Sequence, residues 1–464
     1  MKEKSMSNLV LWKILANFCI KGIGFFTAPI FTRLLLPSDY GQLATYTAWV
    51  LLISTFIGLQ THQSIPLARI KYEKVEIYSY LSSVFFISFI SSIVFFLIMF
   101  FGKNFFGRIL GFPSFLIPII AINSFFSYAI SFYMYELIQF KKIEMQAIIS
   151  FMQVLASSLL ALLLVFLHQH NKYLYKILAE NIVTILLGTI FILIIFIRGK
   201  CIFNKTYWKF CLSYTAPLIF HGASSILLAQ SDRVMLKSMC GESEAGIYSV
   251  AVNFAFIINV IFSSFDAIWL PFYFDYKKAN RSHEIILRSK NYRFTFTVLT
   301  IGFLLLSPEV FKIFAPQQYW NAIRIILIIV AGYYADFLYS FTTTYNFYYQ
   351  RTKLISVGTF FAACINIALN MFFIRKMQGY GAAFATMLSY VILFLVNEFT
   401  VRIILKAKNI DLNFSFYVKG VIPVVCVLFF MLLAEYKFII GRWTVAFVLG
   451  IMLLIRIKNQ KGIL

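Results

Sequence analysis

Acidic residues are scarce in this 464-residue chain: 18 Asp and Glu stand against 41 Lys and Arg. Charged residues make up 13% of the sequence and hydrophobic ones 61%. That imbalance excludes an ordinary water-soluble domain, which is nearer half apolar and a quarter charged. Cysteine is sparse as well. Cys19, Cys201, Cys211, Cys240, Cys364 and Cys426 contain no CxxC pair, so neither a disulfide framework nor a metal site is expected. His168 and His170 form an HxH without a third ligand, too little for a metal centre. The chain has no P-loop and no nucleophile–base constellation at a recognisable spacing. ATP hydrolysis and enzymatic catalysis are therefore not expected, and no cofactor is implied. No N-terminal segment ends in a small-residue cleavage site, so the first apolar span is expected to act as its own insertion signal.

What is present is apolar sequence in long windows with short polar gaps. A helical crossing of the hydrocarbon core takes about 20 apolar residues. By that measure the sequence predicts about fourteen spans: Leu9–Leu36, Gln42–Gln60, Ser79–Phe101, Phe115–Ile138, Ala147–Leu167, Ile177–Ile197, Leu212–Gln230, Ala245–Leu270, Phe294–Ala315, Ile323–Tyr349, Ile355–Ile374, Gly381–Val401, Phe416–Ala434 and Trp443–Ile455. The net charge of +23 would suggest nucleic acid in a soluble chain, but here the cations sit mostly in the short loops. With the N-terminus inside, the inner segments hold more than twice as many Lys and Arg as the outer ones. The positive-inside rule then places both termini in the cytoplasm. The longest basic run, Lys277–Arg293, is read as a topology signal attracted to anionic lipid.

Two motifs repeat in order. Ser38-Asp39-Tyr40-Gly41 precedes a helix ending near Pro66, and Ser243-Glu244-Ala245-Gly246 precedes one ending near Pro271, both pairs separated by 205 residues. Gln139-Phe140-Lys141-Lys142 recurs as Gln350-Arg351-Thr352-Lys353, 211 residues later. Duplication of a six-span unit follows, and an even span count makes the repeats parallel. The fold class is all-α integral membrane: an N-terminal six-helix lobe over 1–210 and a second over 211–408, facing each other across a central cavity, with helices 13 and 14 over 409–464. That is a transporter design.

Three stretches now carry a family resemblance: Arg33-Leu-Leu-Leu-Pro-Ser-Asp-Tyr-Gly41; Ser231-Asp-Arg-Val-Met-Leu-Lys237 with Ala245-Gly-Ile-Tyr-Ser-Val-Ala251; and Asn366-Ile-Ala-Leu-Asn370 with Gly379-Tyr-Gly-Ala-Ala-Phe-Ala-Thr386. With the span count, the chain resembles the polysaccharide-export branch of the multidrug/oligosaccharidyl-lipid/polysaccharide (MOP) superfamily, and within it the O-antigen (Wzx-type) flippases. The resemblance implies a multi-pass carrier of the bacterial inner membrane, working by alternating access. It would turn undecaprenyl-diphosphate-linked oligosaccharide from the cytoplasmic to the periplasmic leaflet, its last two helices guiding the lipid tail. Membrane lipid and other polysaccharide-assembly proteins are the implied partners. Coupling to an H+ or Na+ gradient or to the membrane potential is compatible with this role. The alternatives are a multidrug exporter of the same superfamily, which would favour cavity carboxylates and twelve spans, and a lipid II flippase. A membrane polysaccharide polymerase would need a large periplasmic loop, and the outer loops here are short.

Candidate residues follow from the cost of polarity in lipid. Lys21 lies mid-span, where a lysine costs about 2.5–3.5 kcal/mol on insertion scales. It shares a small, polar stripe with Asn17, Gly24 and Ala28. A cation there suits a diphosphate; the alternative is snorkelling or a structural ion pair. Arg33, near the outer end of the same helix, is either a second phosphate contact or an interfacial anchor. Asn259, Ser263 and Asp266 form a polar stripe in span eight, with Ser54, Gly58 and Thr61 as repeat mates in span two. Asp336 lies deep in span ten, on a stripe with Gly332, Tyr339 and Thr343, and is expected to bind a coupling cation or balance Lys21. Asp232 and Arg233 are candidate outer gates, and Asp266 with Arg69 a candidate inner gate. Each of these gating residues has a bland reading as an interfacial cap or a satisfied structural charge.

Overall fold

The computed structural model describes residues 27–73, 76–349, 351–404, 412–434 and 438–459. Among these the chain is helical throughout. Uninterrupted apolar sequence gives helices because a backbone in lipid must satisfy its own hydrogen bonds. The described end of α1 (27–34) leads to α2 (Pro37–Gly58), α3 (Ile65–Lys71), α4 (Glu76–Phe101), α5 (Lys103–Leu110), α6 (Leu116–Gln139), α7 (Ile143–Leu167), α8 (Lys172–Gly199) and α9 (Lys205–Cys240). There follow α10 (Glu242–Lys278), α11 (Ser282–Phe314), α12 (Ala322–Tyr348), α13 (Thr352–Phe399), α14 (Phe414–Leu433) and α15 (Ile439–Asn459).

Twelve of the described helices are long and apolar enough to cross a membrane. The longest counts twice. A straight α13 of 48 residues would extend about 72 Å, more than two hydrocarbon thicknesses. It is broken at Gln378 (φ 51°, ψ −129°). Phe373 and Phe384 stack edge to face at 5.2 Å across the break, so the chain reverses there. Gly381 permits the reversal: a Cβ on it would lie 2.2 Å from the Phe373 carbonyl oxygen. Spans eleven and twelve are therefore the two arms of α13. Most of the expected span Leu9–Leu36 lies outside the described residues.

By contacts the described chain forms two compact units, meeting in sequence at Ser238 and Met239. In the first, α6 lies at the centre, packed by α2, α4, α7 and α8. Its core joins Tyr80, Phe85, Phe132 and Tyr133, all fully buried. In the second, α12 takes that place among α10, α11, α13 and α14, and α15 packs on α11. The central helices α6 and α12 are the pair that the 211-residue spacing relates. The expected lobe boundary at 210 concerns duplicated sequence and remains a proposal. By contacts, α9 groups with the first unit up to Ser238.

The repeated SxxG motifs, which the sequence places before a helix, lie in the first turns of α2 and α10. Pro37 opens α2 with its preset φ, and the Leu36 N–H donates to Asp39 Oδ2 at 3.1 Å. In α10, Glu244 accepts from the backbone N–H of Gly379, tying that turn to the break in α13. Beyond the motif the two copies diverge. The chain after α2 kinks through left-handed Leu59 and Gln60 and a 3-10 turn at Thr61–Ser64, whereas α10 runs on through Pro271.

The orientation has a direct test. Reporter fusions at Lys103 and Lys172 are expected to read periplasmic, and fusions at Lys141 and Lys278 cytoplasmic. The reverse signals at these four points would invert the topology.

Candidate functional site

A polar face on a helix that crosses lipid has to meet water, protein or a polar ligand. In the second unit α10 has such a face. Ala251, Phe254, Ala255, Ile258 and Trp269 are buried against the unit. On the opposite side Asn253 and Ser263 are exposed, and Asn259 and Asp266 are half-buried. Ser263 donates to the Val260 carbonyl at 3.0 Å. Of the predicted stripe Asn259–Ser263–Asp266, Ser263 is on the open side of its helix, Asn259 is half-buried and Asp266 turns toward α12. Asn253, six residues earlier, is a further exposed polar residue on α10.

Asp266 has a neighbour of its own sign. Asp336, mid-way along α12, lies within Coulombic range of it. Ser340, one turn after Asp336, donates to the Phe337 carbonyl at 2.9 Å, and among the described residues Asp266 Oδ1 is buried without a hydrogen-bond partner. Two carboxylates on neighbouring helices are thus brought together, a pairing the sequence stripes did not show. The rest of the stripe expected around Asp336 differs: Gly332 and Tyr339 are buried, and Thr343 is half-buried. Tyr333, Tyr334 and Tyr339 belong to the packed interior rather than to an open wall.

The first unit has a parallel but weaker polar face. Ser54 is half-buried on α2. Its companions in the expected stripe turn inward, which corrects that reading. A Cβ on Gly58 would sit 2.1 Å from the Tyr128 ring, and buried Thr61 hydrogen-bonds Ser88 at 3.2 Å and Tyr128 at 2.5 Å. The kink after α2 turns this segment into the core. The open polar residues come instead from α6, where Ser131 is exposed and Ser127 and Tyr135 are half-buried. Their spacing of four residues was the signal in the sequence. Tyr135 donates to Gln63 at 3.3 Å.

Asn17 and Lys21 lie outside the described residues. Arg33 is exposed and donates to the Pro29 carbonyl at 2.7 Å. Asp232 is buried, and half-buried Arg233 donates to Gln230 Oε1 at 2.6 Å. Arg69 is exposed, donates to the Gln139 carbonyl, and lies 5.7 Å over the Phe140 ring, so it ties α3 to the end of α6. Lys237 was passed over by the sequence reading. It donates to Gln42 at 2.6 Å and to the Gly111 carbonyl at 2.7 Å, with its ammonium 3.7 Å from the Phe112 ring centroid. Glu136, Glu180 and Glu398 are held in ion pairs with Arg198 (3.8 Å), Lys176 (2.7 Å) and Arg402. Among the described residues no group of three or more His, Cys, Asp or Glu could hold a metal.

Residues 8–277, more than half of the chain, match the family described as polysaccharide biosynthesis protein. The chain belongs to that family. Two curated relatives from Haemophilus influenzae match shorter stretches. "Lsg locus putative protein 1" is 21% identical over 34% of this chain and 40% of its own length. An "uncharacterized membrane protein" is 24% identical over 33% of this chain and 38% of its own. The matches thus span about two-fifths of those relatives. Among solved structures, the lipid II flippase MurJ in an inward closed conformation superposes with a TM-score of 0.77, at 16% identity, over 97% of this chain and 99% of its own. An inward-facing multidrug resistance MATE family transporter of the MOP superfamily superposes at 0.61, with 11% identity, over 90% and 98%. At these identities the likeness establishes the fold: this polysaccharide biosynthesis family member has the fold of MOP-superfamily transporters. Those two solved structures are described as a lipid II flippase and a multidrug resistance transporter.

Proposed function

We propose that this protein is a flippase that carries undecaprenyl-diphosphate-linked oligosaccharide repeat units, of O-antigen or a similar surface polysaccharide, from the cytoplasmic to the periplasmic leaflet of the bacterial inner membrane. The observation that carries the reading is the set of polar residues on α10, with Asn253 and Ser263 exposed and Asn259 and Asp266 half-buried, on a helix otherwise apolar enough to span a membrane. A transporter of the polysaccharide family with a hydrated face at membrane depth suits a cargo with a polar sugar head and an apolar tail. Cations of the first helix, Lys21 with Arg33, would receive the diphosphate, with Asn17 beside Lys21. Asp232, Arg233, Asp266 and Arg69 would act at the gates. The Asp266–Asp336 pair would take a proton or Na+ during the cycle, since two nearby carboxylates share one positive charge more readily than they remain doubly ionised. An inside-negative potential also assists outward movement of an anion, by about 2.3 kcal/mol per charge per 100 mV.

The test is the sidedness of the lipid-linked sugar. In cells lacking the gene, the undecaprenyl-linked oligosaccharide should accumulate and resist a glycosidase added to spheroplasts. Restoring the wild-type chain should make it cleavable and return surface polysaccharide. Cleavage already complete in the deletion strain, with no other flippase present, would refute the reading.

A further inference from the structure

Helices α14 and α15 carry no acidic residue, and the two on α11 are distant or committed. Glu284 lies two and a half turns before Arg293, and Glu309, at the opposite end of α11, is paired with Arg442 at 2.5 Å. Where α11, α14 and α15 meet at the end that charge bias places in the cytoplasm, two arginines face one another. Arg293 of α11 donates to the Phe416 carbonyl of α14, and its guanidinium lies 4.6 Å from the Phe416 ring centroid. Arg456 of α15 donates to Asn291 Oδ1 at 3.1 Å and lies 4.1 Å from the Phe294 ring centroid. The two guanidiniums are within Coulombic range of each other. Among the described residues neither is in an ion pair, and Arg456 Nε is buried without a hydrogen-bond partner.

We propose that Arg293 and Arg456 form a binding site for the phosphate of an anionic phospholipid of the bilayer. Two like charges held together at a protein surface repel unless an anion lies between them. Phe416 and Phe294 hold the two guanidiniums in place, and the N–H groups that these contacts do not use can donate to a phosphate. Depth agrees with the assignment. Arg293 immediately precedes the apolar run of α11, Phe416 opens that of α14, and Arg456 closes that of α15. All three stand at headgroup level, where basic pockets between helices collect anionic lipid. The helix register holds the two arginines there, because Arg442 one helix-length away anchors α15 antiparallel on α11 through the Leu305 carbonyl at 2.8 Å.

The full chain, purified in detergent, is titrated with phosphatidylglycerol and with phosphatidylcholine, and bound lipid is counted by native mass spectrometry. Wild type should prefer phosphatidylglycerol. Arg293→Gln with Arg456→Gln should weaken phosphatidylglycerol binding about thirty-fold, the effect of two juxtamembrane cations. Lys277→Gln with Lys278→Gln removes the same charge elsewhere and should leave it nearly unchanged. Equal weakening by both double variants would mean diffuse attraction to a basic surface and overturn the site. Inorganic phosphate alone should not displace the lipid at equal concentration. Displacement would show a free-anion site and overturn the lipid assignment. If the glutamine pair fails to fold by size exclusion, Arg293→Lys with Arg456→Lys keeps the charge without the fork. It should then bind phosphatidylglycerol more weakly than wild type, and unchanged binding would overturn the proposal.

Discussion

Lys21→Ala is expected to abolish export of the proposed lipid-linked oligosaccharide, while Lys21→Arg should retain most of it and Lys21→Glu should lose it with the protein still inserted. A lysine in the middle of an apolar span costs about 2.5–3.5 kcal/mol to insert. A protein retains such a cost where the charge has a task, and the proposed cargo supplies one, since its diphosphate is anionic wherever it crosses. Arginine keeps the charge and adds bidentate reach; alanine removes both. Surface polysaccharide in a strain lacking the native gene is the readout, with membrane abundance of each variant measured alongside. Normal export by Lys21→Ala at normal abundance would remove this residue from the phosphate path and leave snorkelling as its explanation.

The second large effect concerns stability. Arg442 is 2% exposed and donates to Glu309 at 2.5 and 3.2 Å and to the Leu305 carbonyl at 2.8 Å. Glu309 is the carboxylate that Arg442 pairs with. Arg442→Met leaves that carboxylate uncompensated and frees a backbone carbonyl, a loss of about 3–5 kcal/mol by comparison with other broken buried pairs. Replacing both partners, Arg442→Met with Glu309→Gln, should recover most of it, because no lone charge remains. Melting temperatures in one detergent measure both variants. A single variant as stable as wild type would show that the pair does not hold α15 to α11.

Much of the architecture was legible in the sequence. Thirteen of the predicted spans coincide with described helices, including the two arms of α13, which the sequence separated between Ile374 and Gly381. The α10 stripe was legible too, because polar residues four and three apart on an apolar helix share one face whatever the tertiary contacts. The same rule failed for Gly58 and Thr61. Periodicity assumes a continuous helix, and here the chain kinks through Leu59 and Gln60 and turns Thr61 toward Tyr128.

By itself the sequence determined the membrane class, the span count, the charge asymmetry and the family. Each rests on quantities summed locally: apolar length against hydrocarbon thickness, charge per loop, and short motifs in order. Only the tertiary structure decided which charges meet. Asp266 and Asp336 are 70 residues apart, Glu309 and Arg442 are 133 apart, and Arg293 and Arg456 are farther still. It also decided which apolar faces are covered. Three of the 25 residues of α7 are buried, against 20 of the 27 in α12, although both helices are apolar enough to span. In a membrane the lipid-facing and protein-facing sides of a helix are equally hydrophobic, so hydropathy marks the helix but not its partner.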